Sequence, residues 1–83
     1  MSYDKVTQAK DRLLVGIKQA TKAMASGDVS TIVVARDIDA DLKMKIISLA
    51  EKMNIPYELV ESKAQLGKAC GIEVATALVA IRQ

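Results

Sequence analysis

Three side chains suited to contacting a polyanion lie close together, directly after a glycine that ends an apolar run. Lys18 and Lys22 are four residues apart, so on a helix they project from one face, with Gln19 beside them. Backbone N–H groups at the start of that helix, next to Gly16, add positive partial charge. Together these groups form a small surface suited to phosphates. The alternative is an ordinary amphipathic helix with a solvated lysine face, and the segment alone favours this simpler interpretation.

The composition indicates one small globular domain with an aliphatic core. Of the 83 residues, 51% are apolar and 27% are charged, while only 2% are aromatic. We therefore predict a single domain over residues 1–83, with a core of Val, Ile, Leu, Ala and Met. The net charge of +2 does not identify a partner, because many proteins that avoid nucleic acids carry as much.

Cysteine and histidine usage excludes several kinds of site. Cys70 is the only cysteine, and the chain has no histidine. Internal disulfides, Cys/His metal sites, catalytic triads with histidine and Cys-His pairs are therefore excluded. We interpret Cys70 as a small buried hydrophobe, and we expect neither a metal nor a cofactor.

The sequence shows neither a signal peptide nor a membrane span. The N-terminal residues lack the apolar region of a signal peptide, and no segment approaches the roughly 18 apolar residues of a membrane-spanning helix. We therefore expect a cytoplasmic protein without a membrane partner.

The N-terminal part predicts a helix, a strand and a second helix. Ser2 can cap the first helix, which we expect to end near Asp11. Residues 13–15 form a short apolar strand. The second helix runs from Gly16 to Ser26, where a glycine follows. Its apolar residues face inward: Ile17, Ala20 and Met24.

The middle of the chain predicts a covered strand and an amphipathic helix. Residues 31–35 form a continuous run rich in β-branched side chains, which is typical of a strand covered on both faces. The following helix ends at Asn54, and Pro56 prevents its continuation. Its apolar residues recur at three- and four-residue steps: Leu42, Ile46, Leu49, Ala50 and Met53.

The C-terminal part predicts two further strands around a short helix. Residues 57–60 form one strand, and Ser62 with Gln65 forms a capping box that opens the helix. Gly71 ends that helix, and the last covered strand runs over residues 74–81. Helices and strands thus alternate along the chain, which predicts an α/β fold with helices on both faces of one sheet.

Two motif candidates do not meet their spacing requirements. Three alternating aspartates suggest a calcium loop, but Leu42 and Ser48 stand where that loop needs glycine and a bidentate acid. The segment 67–71 contains two glycines but lacks the spacing of a phosphate-binding loop. No pair of acids is marked as sharing a cleft, so no enzyme class is predicted. We interpret the aspartates as favouring a helix N-terminus: Asp37, Asp39 and Asp41.

Two aliphatic residues lie in the turn before the last strand, where polar residues are usual. They are Ile72 and Val74, which flank Glu73 after Gly71. In the simpler interpretation they begin the last strand. In the other they are exposed and present an apolar surface to unstacked nucleobases.

The spacing of residues in the second half resembles the signature of the ribosomal protein L7Ae family. Members are small kink-turn RNA-binding proteins of archaea and eukaryotes, with bacterial relatives. The resemblance covers essentially the whole chain, from the glycine at position 16 to the final strand. The residues that carry it are Ala50, Ile55-Pro56-Tyr57, Val60, Ser62-Lys63 and Leu66-Gly67.

The resemblance implies a three-layer α/β/α sandwich around a mixed four-stranded sheet. It also implies that the start of the second helix enters the widened major groove of a kink-turn, a sharply bent internal loop with sheared G·A pairs. The turn before the last strand would cover the bulged bases. The residues implied are Gly16, Lys18, Gln19 and Lys22 on the helix, Ile72, Glu73 and Val74 in the turn, and Asp39 and Lys63 at the extruded nucleotide. We expect Lys68 to join Lys18 and Lys22 on one edge, near Gly71.

Lys18 and Gln19 bear on which kink-turns are bound. Archaeal members of the family have Asn and Glu at these positions, whereas Lys-Gln resembles another ribosomal branch and the bacterial relatives. Glu accepts hydrogen bonds, Lys donates them, and Gln does both. The pair therefore affects selectivity and affinity, while kink-turn binding remains the expectation.

The leading hypothesis is a non-enzymatic, monomeric protein that recognises and stabilises kink-turns, either ribosome-associated or acting on structured cytoplasmic RNA. Binding would stabilise the bent conformation because the protein has higher affinity for it. The alternative is a protein–protein adaptor on the same fold, whose helix faces dock a partner. RNA binding weakens steeply with salt, whereas adaptor binding depends on it little.

Overall fold

The computed structural model describes residues 3–83, in which helices and strands alternate. Within this range, no helix is long and apolar enough to cross a membrane. A short 3-10 turn at Lys10–Arg12 separates the first helix from the first strand. The cap expected at Ser2 lies outside the described residues. The helices are α1 Tyr3–Gln8, α2 Ile17–Ser26, α3 Ala40–Lys52 and α4 Lys63–Ala69, and the strands are β1 Leu13–Val15, β2 Val29–Ala35, β3 Tyr57–Val60 and β4 Leu78–Arg82.

The strands form one mixed sheet in the order β1-β4-β2-β3. β4 is antiparallel to both of its neighbours, while β2 and β3 run parallel. The two edge strands, β1 and β3, are short, which limits pairing with another chain. The expected mixed four-stranded sheet is therefore confirmed.

Helices cover both faces of the sheet. α2 and α3 pack on the face that includes Ile32 and Val34, whereas α1 and α4 pack on the face that includes Val33 and Ala35. Successive side chains of β2 enter different cores because strand side chains point alternately to opposite faces. The three-layer α/β/α sandwich is confirmed. The helices contribute Ala20, Met24, Ile46 and Ala50 to the first core, and Val6 and Leu66 to the second.

Most of the expected core is buried, but parts of α3 are less covered than expected. Residues 32–35 of β2 are fully buried, as predicted for a strand covered on both faces. Leu49 and Met53, expected on the inward face of α3, are only partly buried. Both pack against the first core, as do Tyr57 and Leu59 of the edge strand β3, which are also partly exposed.

The last strand begins at Leu78, so the expected start at Val74 is wrong. The preceding residues 72–77, here called the apolar loop, are not part of a strand, although the last carbonyl of the loop, that of Ala77, accepts from Ala35 N of β2 at 2.9 Å. Instead, the backbone N–H groups of Ile72 and Thr76 donate to carbonyl oxygens of α4, both at 3.1 Å. Because α4 accepts from these two N–H groups, they are not available to pair with a strand, and β4 does not extend back to Val74. β2, in contrast, begins earlier than expected, at residue 29.

Candidate functional site

α2 begins without a side-chain cap. Its N-cap is Gly16, whose φ of +102° is a backbone conformation that L side chains rarely adopt. The N–H of Gly16 donates to the Leu78 carbonyl at 3.0 Å, and its own carbonyl accepts from Ala20 N at 3.0 Å. No acidic residue lies in the first turn of α2. The N–H groups of that turn point away from the helix, so the positive end of α2 is open to an anion.

The polar side chains singled out in α2 lie on its outer face. Lys18, Gln19 and Lys22 are exposed, whereas Met24 is fully buried against the sheet. The helix and its outward polar face are therefore as predicted, while the RNA contacts of these residues stay predictions. Ile17 was expected to pack inward, but 37% of its surface is exposed because it lies at the very start of the helix.

The first residue of β4, which directly follows the apolar loop, connects that loop to the start of α2 through its carbonyl group. The Leu78 oxygen accepts from Gly16 N at 3.0 Å and from Thr76 Oγ1 at 3.1 Å. Within the loop, Val74 is 68% exposed and Ile72 is partly exposed. These exposures support the interpretation of the two residues as an apolar surface and not as the start of a strand. The structure therefore brings an exposed apolar loop beside the open end of α2.

Gly67 lets the apolar loop rest directly on α4. A Cβ atom at Gly67 would collide with the carbonyl oxygen of Val74 and would lie 3.3 Å from Ala75 Cα. Only glycine permits so close an approach of helix and loop backbone. Gly71 then turns the chain out of α4 at φ +81°, and Glu73 is exposed. The position of the apolar loop is thus set by α4.

The loops after β2 and β3 lie at the same end of the sheet, because these two strands run parallel. β4, which is antiparallel to β2, begins at that end. Asp39 caps α3: its Oδ2 accepts from Leu42 N at 3.2 Å. Asp37 Oδ1 accepts from Lys63 N at 2.8 Å, at the start of α4. The helix-start interpretation is therefore confirmed for Asp39 and for Asp41, which lies in the first turn of α3. Asp37 also binds a helix start, but that of α4 instead of the helix that follows it in sequence. Among residues 3–83, no group of three or more potential metal ligands is placed to hold a metal ion.

Lys68 and Gly71 lie at the C-terminal end of α4, which packs on the sheet face opposite to α2. Lys68 is exposed, and its place on a shared edge with Lys18 and Lys22 stays a prediction. Lys10 is a further cation at this end: its Nζ lies 3.9 Å from where a Cβ of Gly71 would stand. The sequence did not single out Lys10, because it meets Gly71 only in the folded chain.

Cys70 is partly buried beside the core under α1 and α4. Burial raises the pKa of its thiol, because the thiolate loses solvation there. The thiol is therefore neutral near pH 7 and packs as a small apolar group, although less completely buried than expected.

A shallow cleft of about 220 Å³ lies at the opposite end of the sheet, beside α1. Several of its polar groups are already engaged within the protein. Lys5 Nζ pairs with Glu58 Oε1 at 3.7 Å, and Thr31 Oγ1 donates to the Pro56 carbonyl at 3.0 Å. The residues lining the cleft include Lys5, Gln8, Arg12, Ser30, Thr31 and Ile81.

The better candidate for binding is the surface formed by the start of α2 (residues 16–22) and the apolar loop (residues 72–77). We call this surface the α2 edge.

The sequence matches a known family over its full length. The model of the "Ribosomal protein L7Ae/L30e/S12e/Gadd45 family" matches residues 1–83. A protein of Bacillus pumilus named "RNA-binding protein" is 47% identical over 81 residues, which cover 98% of each chain. "RNA-binding protein YbxF" of Geobacillus stearothermophilus is 41% identical over 81 residues, again with 98% of each chain covered.

Solved structures support the fold. The "Giardia lamblia 15.5kD RNA binding protein" superposes with a TM-score of 0.91, covering 99% of this chain and 71% of that one, at 24% identity. A Bacillus halodurans protein described as having unknown function superposes with a TM-score of 0.83, covering 98% and 80% of the two chains, at 23% identity. At these identities the likeness concerns the fold alone.

Proposed function

The chain belongs to the ribosomal protein L7Ae/L30e/S12e/Gadd45 family, and from that premise we propose that it is a non-enzymatic RNA-binding protein that recognises and stabilises kink-turns. Its relatives in Bacillus and Geobacillus carry the name RNA-binding protein. The observation that carries the proposal is the α2 edge itself, where an uncapped helix start bearing exposed Lys18, Gln19 and Lys22 lies beside an exposed apolar loop.

The start of α2 supplies the polar part of the proposed contact. The sheared G·A pairs of a kink-turn widen the major groove, so a helix end can reach base edges that an A-form duplex hides. The Gln19 amide both donates and accepts hydrogen bonds and can therefore contact those edges. Lys18 and Lys22 bind phosphates, and the N–H groups after Gly16 favour the same anions. Base contacts provide selectivity, and phosphate contacts provide affinity.

The apolar loop supplies the second part of the contact. Bulged bases of a kink-turn are unstacked, and burying their faces against aliphatic side chains removes apolar surface from water. Ile72 and Val74 provide that surface, with Glu73 between them. Asp39 and Lys63 start the neighbouring helices α3 and α4 and contact the extruded nucleotide in this proposal.

Binding in this way favours the bent RNA, because both parts of the contact are made together only when the RNA is kinked. The protein acts as a monomer in the cytoplasm, on ribosomal RNA or another structured RNA. No catalytic step is needed for this role.

The test is a titration of the protein against a kink-turn RNA and a control whose G·A pairs are replaced by Watson–Crick pairs. We expect a clear preference for the kink-turn. A plot of log affinity against log salt concentration should have a negative slope of about 0.7 to 0.9 for each phosphate neutralised. Equal affinity for the two RNAs would contradict kink-turn recognition. Binding to neither RNA would favour the adaptor hypothesis instead.

A further inference from the structure

Thr76 is a polar residue of the apolar loop that is buried in the protein. Only 6% of its surface is exposed, although its neighbours Val74 and Ala75 are exposed. Its hydroxyl donates to the Leu78 carbonyl at 3.1 Å. A buried hydroxyl requires a hydrogen-bond partner, and here that partner is the carbonyl that also holds the start of α2.

A connected series of hydrogen bonds around Thr76 links the two segments of the α2 edge to two neighbouring segments. Gly16 N and Thr76 Oγ1 both donate to the Leu78 carbonyl, at 3.0 and 3.1 Å. Thr76 N donates to the Lys63 carbonyl at 3.1 Å, and Lys63 N donates to Asp37 Oδ1 at 2.8 Å. This series of hydrogen bonds thus connects the start of α2, the apolar loop, the start of α4 and the loop after β2.

These four segments are the ones that the proposed function assigns to RNA. Recognition of a bent RNA requires that the polar contact from Gln19 and the apolar contact from Val74 be presented in a fixed relative position, since loosely held groups lose affinity to ordering. Gly67 holds one side of the apolar loop against α4. Thr76 binds through its hydroxyl the Leu78 carbonyl, the same group that accepts from Gly16 N at the start of α2.

We propose that Thr76 is a positioning residue for RNA recognition, acting through the Leu78 carbonyl on the relative placement of the apolar loop and the start of α2; this rests on the proposed function. Without the Thr76 hydroxyl, the Leu78 carbonyl would keep its bond from Gly16 N but would lose the bond from the loop. The loop would keep its backbone bond to Lys63 and its packing on Gly67, but no side chain of the loop would bind the carbonyl that holds Gly16.

The test compares Thr76→Val with Thr31→Val, a matched control. Thr31 also donates its hydroxyl to a backbone carbonyl, that of Pro56 at 3.0 Å, but at the opposite end of the sheet. Each variant is titrated against the kink-turn RNA and its Watson–Crick control. We expect Thr76→Val to lose about three- to tenfold in kink-turn affinity, the size of one net hydrogen bond, with little change on the control RNA. Thr31→Val should bind both RNAs like the wild type.

Two further measurements separate positioning from general stability. Thr76→Ser restores a hydroxyl and should recover most of the kink-turn affinity. In amide NMR spectra, Thr76→Val should shift the Gly16 signal, whereas Thr31→Val should not. If Thr76→Val does not give a folded circular dichroism spectrum, Thr76→Ala, which also removes the hydroxyl, takes its place.

Three outcomes would overturn the inference. They are wild-type kink-turn affinity in Thr76→Val, an equal loss in Thr31→Val, or a Thr76→Ser variant as impaired as Thr76→Val. A wild-type protein that does not distinguish the two RNAs would instead refute the proposed function, so the two failures are distinguishable.

Discussion

α2 and α4 begin in opposite ways although their first turns are similar in sequence. Each has a lysine in the first two residues and a glutamine at the third, Gln19 in α2 and Gln65 in α4. At α4, Ser62 Oγ accepts from the second and third backbone N–H groups at 3.1 and 3.2 Å. At α2, the corresponding position is Gly16, which has no side chain to do this. One helix start is satisfied internally, and the other is left to solvent or a ligand.

The backbone path explains why α2 has no cap. The turn from β1 into α2 requires φ +102° at Gly16, a conformation in which a serine or aspartate would be strained. The open helix start is thus a consequence of the sharp strand-to-helix turn, and RNA binding would use it. α4 lies in the opposite layer and carries the apolar loop on Gly67. In the proposed function α2 therefore presents most of the helical binding groups, while α4 supports the apolar loop and adds Lys63.

The largest expected effect on RNA binding follows from replacing Gln19 with alanine, with Gln65 as the comparison. Gln19→Ala should weaken kink-turn binding by about 1–3 kcal/mol, because a base-edge contact is lost. Its effect on the free energy of unfolding should stay within about 0.5 kcal/mol, since the side chain is exposed. Titration against the kink-turn RNA and its Watson–Crick control measures the first quantity, and urea unfolding measures the second.

Gln65→Ala is the matched control, because Gln65 is also exposed and stands at the same position of α4. It should leave RNA affinity unchanged. A kink-turn preference that survives Gln19→Ala would remove the role given to Gln19, without refuting the fold or the family.

The next effect concerns the cap of α4. Ser62→Ala should lower the free energy of unfolding by about 1 kcal/mol, because the second and third N–H groups of α4 lose their acceptor. Ser62→Gly, which makes the start of α4 resemble that of α2, should cost only a few tenths of a kcal/mol by the same scale. Urea unfolding of both variants provides the comparison. Equal stability of Ser62→Ala and the wild type would show that the observed cap contributes nothing.

Local sequence predicted the parts of this comparison that depend on neighbouring residues. The strand-to-helix change at Gly16 and the cap at Ser62 both follow from short-range patterns, and both are observed. The apolar loop did not follow, because Ile72 and Val74 have the residue types of a strand. What keeps the loop out of the sheet is its bonding to α4, which depends on the folded chain.

The same limit explains why several site residues were missed. Asp37 bonds Lys63 across two loops, and Thr76 shares the Leu78 carbonyl with the start of α2. Asp37 was expected at a helix start, but its type did not indicate which helix, and a threonine in a loop is not unusual. The family resemblance indicated residues that could contact a ligand, but it did not indicate the contacts that position them.

A smaller effect is expected for the phosphate contacts of α2. Lys22→Ala should flatten the dependence of log affinity on log salt by about one unit, because one fewer phosphate is neutralised. Lys45→Ala removes another exposed lysine, from α3, and should leave the slope unchanged. The measurement is a titration against kink-turn RNA at several salt concentrations. An unchanged slope for Lys22→Ala would mean that Lys22 contacts no phosphate.

The smallest expected effect tests whether the start of α2 is electrostatically open. Gln19→Glu places a carboxylate in the first turn of α2, which now has no acid, and should raise the free energy of unfolding by about 0.3–1 kcal/mol. Asp41→Asn makes the reverse change in α3, whose first turn already holds that acid, and should lower stability by a similar amount. Both shifts should shrink in high salt, because the charges are exposed. If Gln19→Glu does not raise the free energy of unfolding at low salt while Asp41→Asn lowers it as expected, the positive end of α2 is already compensated within the protein. The difference drawn between α2 and the capped helices would then be one of geometry alone.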